Sequence, residues 1–308
     1  MDISVQTGGL IPNWGLEPEE AYGMIRNAGF DGIDWNLNQA WETMEVRKKI
    51  LKHCIFEDSL EEIQAHFARE LTAIQASGLK IVQAHAPYPS YVKDFPEFLD
   101  YAIRIFQQCV RYCGLAGIPY LVIHGIHTLP DDHTQTPESV RQMNLKLYES
   151  LIPQLLETDV TVCLENLIYG YRGNMMEGCC ANPAEAVWYI DHLNEKAGRE
   201  CFGLCLDTGH LNLIGRRQGA YIRALGSRIK CLHVNDNRGT GDEHLAPYTG
   251  NVVWSEFTEA LRETGYTGAM NFETFGQIRP EKADWETVPI WLRTICRIGE
   301  VFRSKIVS

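Results

Sequence analysis

The sequence predicts a single (β/α)8 barrel, an α/β fold spanning residues 1–308 as one domain. Three observations carry that expectation. Apolar, strand-like runs alternate with helical periodicity from end to end, giving eight strand–helix units of about 38 residues each. No linker, low-complexity stretch or charge block divides the chain. Four of the runs stop at a residue able to ligate a metal: TVCLEN at Glu165, FGLCLDTGH at Asp207, IKCLHVND at His233 and AMNFET at Glu273. In a parallel barrel the C-terminal strand ends share one face, so residues distant in sequence meet there. A doubly wound open sheet is the alternative, but no G-x-G-x-x-G or P-loop follows any strand.

The elements follow in order. The first strand is ISVQT from Ile3; a helix starts near Glu17 and ends near Gly29. The second strand is GIDWN, Gly32 to Asn36. The stretch 39–58 is irregular and long, an inserted loop or helix over the barrel mouth. A helix from Leu60 to Ser77 stops at Gly78, and strand KIVQAH ends at His85. A helix from Phe95 to Leu115 precedes strand YLVIH, which ends at His124. The next helix, Pro137 to Glu157, has Pro153 as a kink. After strand VTVCLE, Asn182 caps a helix starting at Pro183. Strand FGLCLD leads to a helix over Gln218 to Leu225, and strand IKCLHV to a long active-site loop, 235–253. Strand AMNFE and a helix from Trp285 to Ser304 complete the set.

Composition narrows the function. With 40 acidic against 28 basic residues the net charge is −12, which disfavours non-specific binding to nucleic acid or anionic lipid. No apolar run reaches membrane-span length, and MDISVQTGG lacks a signal core, so a cytoplasmic enzyme is expected. The ten cysteines form no spaced framework and no C-x-x-C pair; they read as reduced, mostly buried thiols.

Glu165, Asp207, His233 and Glu273 together offer three carboxylates and an imidazole. That set suits Mn2+, Co2+, Mg2+ or Zn2+ rather than a structural zinc site, and no nucleotide cofactor is expected. Around it stand His85, His124, His210, Asp242 and His244, which could bind substrate or a second metal. Trp14 and Trp35 lie in or near loops at the expected mouth, where apolar rings can pack against a substrate. His53, His66, His127, His133 and His192 have no motif support and read as surface or packing residues.

The motifs LEN, LDTGH, LHVND and NFET resemble the strand-end motifs of the xylose isomerase-like TIM barrels, in element order over nearly the whole chain. That resemblance implies a divalent-metal-dependent isomerase or epimerase of a sugar, sugar phosphate or polyol. Its reaction is proton transfer through a metal-stabilised ene-diolate. By the same analogy Glu165 and Glu273 are metal ligands that also move protons, while His210 and Arg238 hold substrate oxygens. A homo-oligomer is an expected assembly, and a keto-inositol or keto-sugar dehydratase would share the first step. The chain departs from the ketose 3-epimerase pattern at Tyr171, where those enzymes carry another glutamate, and in the spacing of Arg238. A more distant member, endonuclease IV, binds three zinc ions with nine ligands. Each has a candidate here once His85, His124, His210, Asp242 and His244 join the first four. The acidic charge and the lack of a Lys/Arg cluster at these loops weigh against a nucleic-acid substrate.

Overall fold

The computed structural model describes residues 1–37, 41–129, 132 and 135–307. The start of the expected insertion, Gln39, and His133 lie outside them. The chain begins β1 (Ile3–Gln6), α1 (Ile11–Trp14), α2 (Pro18–Ala28), β2 (Gly32–Asn36), α3 (Thr43–Arg47), α4 (Leu60–Ser77) and β3 (Lys80–His85). It continues with α5 (Glu97–Ala116), β4 (Tyr120–Val122), α6 (Pro137–Glu149), α7 (Ile152–Leu156), β5 (Thr161–Glu165), β6 (Ile168–Tyr171), β7 (Asn174–Glu177) and α8 (Pro183–Ala197). It ends with β8 (Phe202–Asp207), α9 (Thr208–Leu213), α10 (Gln218–Leu225), β9 (Ile229–His233), α11 (Trp254–Glu263), β10 (Met270–Phe272) and α12 (Val288–Val307).

Eight strands form one sheet in the order β10-β1-β2-β3-β4-β5-β8-β9. Beyond β9, Val234 bridges Phe272 of β10 in parallel, so the order returns on itself as a (β/α)8 barrel. The Val234 N–H donates to the Asn271 carbonyl (2.9 Å) and the Glu273 N–H to the Val234 carbonyl (3.1 Å). That register sets His233 beside Glu273.

Residues 1–35, 68–82 and 205–308 form one compact unit; residues 36–67 and 83–204 form another. In the first, α12 lies close on β1 and β10. A Cβ on Gly299 would stand 2.7 Å from Ile3 and 2.8 Å from Phe272, so only glycine permits the approach. Trp254, Phe257, Phe272 and Phe302 fill the core beneath it. In the second, α5 buries Phe98, Ala102, Phe106, Cys109 and Cys113, an i, i+4, i+8 face with one shift of register. All ten cysteines are buried and none forms a disulfide. Among the described residues, no helix is long and apolar enough to cross a membrane.

Besides the added helix α1 and a β4 that stops at Val122, two residues before His124, the structure differs from the sequence expectation in three places. The helix expected over 137–157 is two helices, because Pro153 enters the first turn of α7, where its missing N–H costs nothing, and cannot continue α6. The segment after Glu165 is an antiparallel hairpin, β6–β7, turned by Arg172 (φ 48°) and Gly173 (φ 81°). Asp207 is followed at once by the short helix α9.

Candidate metal centre

β8 delivers Asp207 at its last position, where the residue is also the N-cap of α9. Its Oδ1 accepts the His210 N–H at 2.6 Å, and Oδ2 accepts Asn235 Nδ2 at 2.8 Å. The residue type is therefore set twice, by the cap and by the neighbouring strand end. Thr208 continues the tie: its hydroxyl donates to the Asn235 carbonyl (2.6 Å) and accepts the Asn235 N–H (2.9 Å). Gly209 is where the two strand ends touch, since a Cβ there would lie 1.9 Å from Asn235 Oδ1. The D-T-G-H motif is thus a capped turn pressed against H-V-N-D.

β9 delivers His233. Its Nε2 donates to Asp34 Oδ2 at 3.1 Å, leaving the Nδ1 lone pair 3.4 Å from Glu273 Oε2. Asp34 is itself held by Asn271 Nδ2 (3.1 Å), and Asn271 by the Ser4 hydroxyl (2.9 Å). A carboxylate behind a histidine ligand fixes its tautomer and raises its basicity. Ligand atoms of Asp207, His233 and Glu273 all lie within 4.8 Å of one another, and the three residues are buried. Two carboxylates beside a histidine whose lone pair faces them are donors of the kind that suit a cation. A divalent ion therefore fits the residues present.

The loop after β9 brings His244 and Asp242 to the same unit. His244 Nδ1 donates to the Glu273 carbonyl (3.1 Å), and its Nε2 lies 3.1 Å from Asp242 Oδ2. His210 Nε2 is 3.7 Å from that same oxygen. Burial disfavours a charge on His244, but Glu273 and Asp242 outweigh it and push its pKa up to about 9. Burial likewise opposes ionisation of Asp242, yet His244 and His210 hold its carboxyl well below the usual range.

The other unit carries a second donor set. His85 donates from Nδ1 to the Ala86 carbonyl (2.8 Å), which turns its Nε2 toward His124 Nε2 at 2.9 Å. Glu165 Oε2 is 2.9 Å from His124 Nε2 and 3.8 Å from His85 Nε2. Two imidazole nitrogens and a carboxylate oxygen at these separations again suit a cation.

Not every expected residue joins these groups. Arg238 is turned to solvent and paired with Glu243, Nη1 to Oε1 at 2.6 Å. Trp35 is 1% exposed and donates its indole N–H to Glu70 (3.0 Å), leaving no face for a ligand. Strand alternation explains it: Trp35 takes one side of β2 and Asp34 the other. Trp14 is half-buried, its indole N–H donating to the Ile278 carbonyl (2.5 Å) and its ring 5.1 Å from Trp285. The residues missed by the sequence reading are Asp34, Asn235 and Asn271. Their one signal was polarity inside otherwise apolar, buried strand runs.

Residues 24–295 match the family described as xylose isomerase-like TIM barrel. D-psicose 3-epimerase of Ruminiclostridium cellulolyticum is 30% identical over 198 residues, 62% of this chain and 58% of that protein. A probable endonuclease 4 of Methanoculleus marisnigri is 28% identical over 206 residues, 62% of this chain and 69% of that protein. The crystal structure of D-allulose 3-epimerase from Methylomonas sp. superposes with a TM-score of 0.71 at 16% identity, covering 98% of each chain. At that identity the likeness concerns the fold.

Proposed function

The chain belongs to the xylose isomerase-like TIM barrel family, and from that premise we propose that it is a divalent-metal-dependent isomerase or epimerase of a sugar, sugar phosphate or polyol. One observation carries the reading: Asp207, His233 and Glu273 converge within 4.8 Å, with the His233 proton committed to Asp34. Glu165, at the end of the neighbouring strand β5 in the barrel order, completes the proposed ligand set. Mn2+, Co2+, Mg2+ and Zn2+ all suit these donors. When bound, the ion supplies Lewis-acid polarisation of adjacent substrate oxygens.

The chain's own residues do the rest. Glu165 and Glu273 are assigned the proton transfers, one taking the proton of a substrate C–H and the other returning it. His124, 2.9 Å from Glu165, orients that carboxylate. His210, Asp242 and His244 hold substrate hydroxyls. The epimerase names of the relatives support a sugar substrate, and the buried, unbridged thiols suit a reducing cytoplasm. A keto-sugar dehydratase would begin with the same proton abstraction; product analysis separates the two.

The second reading is a trinuclear zinc phosphodiesterase. It is favoured by the paired Nε2 atoms of His85 and His124, and by the convergence of His210 and His244 on Asp242 Oδ2. It requires about three zinc ions per chain and cleavage at abasic sites. One ion per chain by elemental analysis would sink it. For the leading reading, the test is Mn2+- or Co2+-dependent exchange of solvent deuterium into a ketose or aldose, lost in Glu273→Gln. No exchange across a broad sugar panel would count against it.

A further inference from the structure

The segment 237–253 carries Asp242 and His244, and its fixed point is a residue that neither reading uses. Asp236 is fully buried. Its Oδ1 accepts the N–H groups of Asn237 (2.9 Å) and Val252 (3.0 Å). Its Oδ2 accepts the Gly250 N–H (3.0 Å) and the Trp254 indole N–H (3.2 Å). Its backbone exchanges two hydrogen bonds with Leu245, both 2.8 Å. One carboxylate therefore ties the departing end of the loop to its return. Only an acceptor-only group can satisfy four donors at once. Gly250 leaves the room, since a Cβ there would stand 2.3 Å from Asp236 Oδ1 and from the Asn237 carbonyl oxygen.

The loop so held buttresses the end of β10. His244 Nδ1 donates to the Glu273 carbonyl (3.1 Å), the Gly276 N–H donates to the His244 carbonyl (2.9 Å), and the Ala246 N–H donates to Gln277 Oε1 (2.6 Å). We propose that Asp236 is a positioning residue for the metal centre: through the 237–253 loop it holds Glu273 beside His233 and sets Asp242 and His244 toward His210. It acts through these residues and contacts no ligand itself. The inference rests on the metal reading above. Outer partners of metal ligands change affinity by about 10–100-fold, and a contact one step further out belongs at the lower end, about 10-fold.

The test is the Mn2+ dissociation constant of the full-length protein by titration calorimetry, in wild type, Asp236→Asn, Gly250→Ala and Phe106→Leu. Asparagine turns one acceptor into a donor that faces two N–H groups. Alanine at 250 crowds the latch while keeping the carboxylate. Phe106→Leu loosens the core behind α5 in the other unit and controls for general destabilisation. Both latch variants are expected to bind Mn2+ about 10-fold more weakly, with Phe106→Leu within twofold of wild type. Should Asp236→Asn fail to fold, Gly250→Ala decides alone. Wild-type affinity in the latch variants, or equal weakening in Phe106→Leu, overturns the inference. A wild type that binds no Mn2+ overturns the metal reading itself, and this inference with it.

Discussion

Asp34 shows what single residues contribute and why they were hard to read. Nothing in GIDWN marks the aspartate as different from any polar residue in a strand. Its meaning comes from His233, 199 residues away in sequence, whose Nε2 it holds. The four proposed ligands were legible because each closes an apolar run, where a charged side chain interrupts the pattern. Asp34→Asn is expected to weaken metal affinity by about 10–100-fold while leaving the fold intact, measured by calorimetry and circular dichroism. Unchanged affinity would remove Asp34 from the site. His127, a surface or packing residue by its sequence context, makes a pH prediction. Burial, with the charges of His124 and Arg47, pushes its pKa down to about 4 as it stacks on Tyr169 at 4.9 Å. The unfolded imidazole protonates near 6.5 and the folded one only near 4. Between those values the unfolded state binds more protons, so stability is full above pH 6.5 and falls as pH drops toward 4. The loss is at most about 3 kcal/mol. Urea unfolding at pH 5 and 7 should show it in the wild type and show less of it in His127→Asn.

At the scale of elements, periodicity located nearly every strand, and chemistry at the ends explains the exceptions. The break between α6 and α7 follows from proline's missing N–H, and Pro153 was visible as a kink though not as a new start. The β6–β7 hairpin was not visible, because Arg172 at positive φ is atypical and Tyr-Arg-Gly-Asn lacks the usual Asn-Gly signal. Helix α9 is too short for any period and exists because Asp207 caps it. Gly209 within it is the sharpest element-level test. An alanine Cβ 1.9 Å from Asn235 Oδ1 would displace that side chain, which donates to Asp207, and crowd the Asn237 amide that donates to the Gly209 carbonyl. Gly209→Ala is expected to cost roughly 2–4 kcal/mol by denaturant unfolding, with weaker metal binding. A cost below about 0.5 kcal/mol would mean that the two strand ends are not locked as described.

For the whole molecule, eight repeated strand–helix units were enough to give the barrel from sequence, since the count and spacing of runs admit few other closed architectures. What that count could not give was the use of each histidine. His85, His124, His210 and His244 are all buried or half-buried in donor sets. A one-metal enzyme uses such histidines for substrate, whereas a three-metal enzyme uses them as ligands. Their geometry serves either chemistry, and the reaction separates them. The most direct measurement is solvent deuterium incorporation into a panel of ketoses and aldoses by the Mn2+-loaded protein, followed by NMR. Incorporation is expected at a carbon next to the carbonyl, at least about 100-fold slower in Glu273→Gln. No incorporation by wild type, or equal incorporation in the variant, would contradict it.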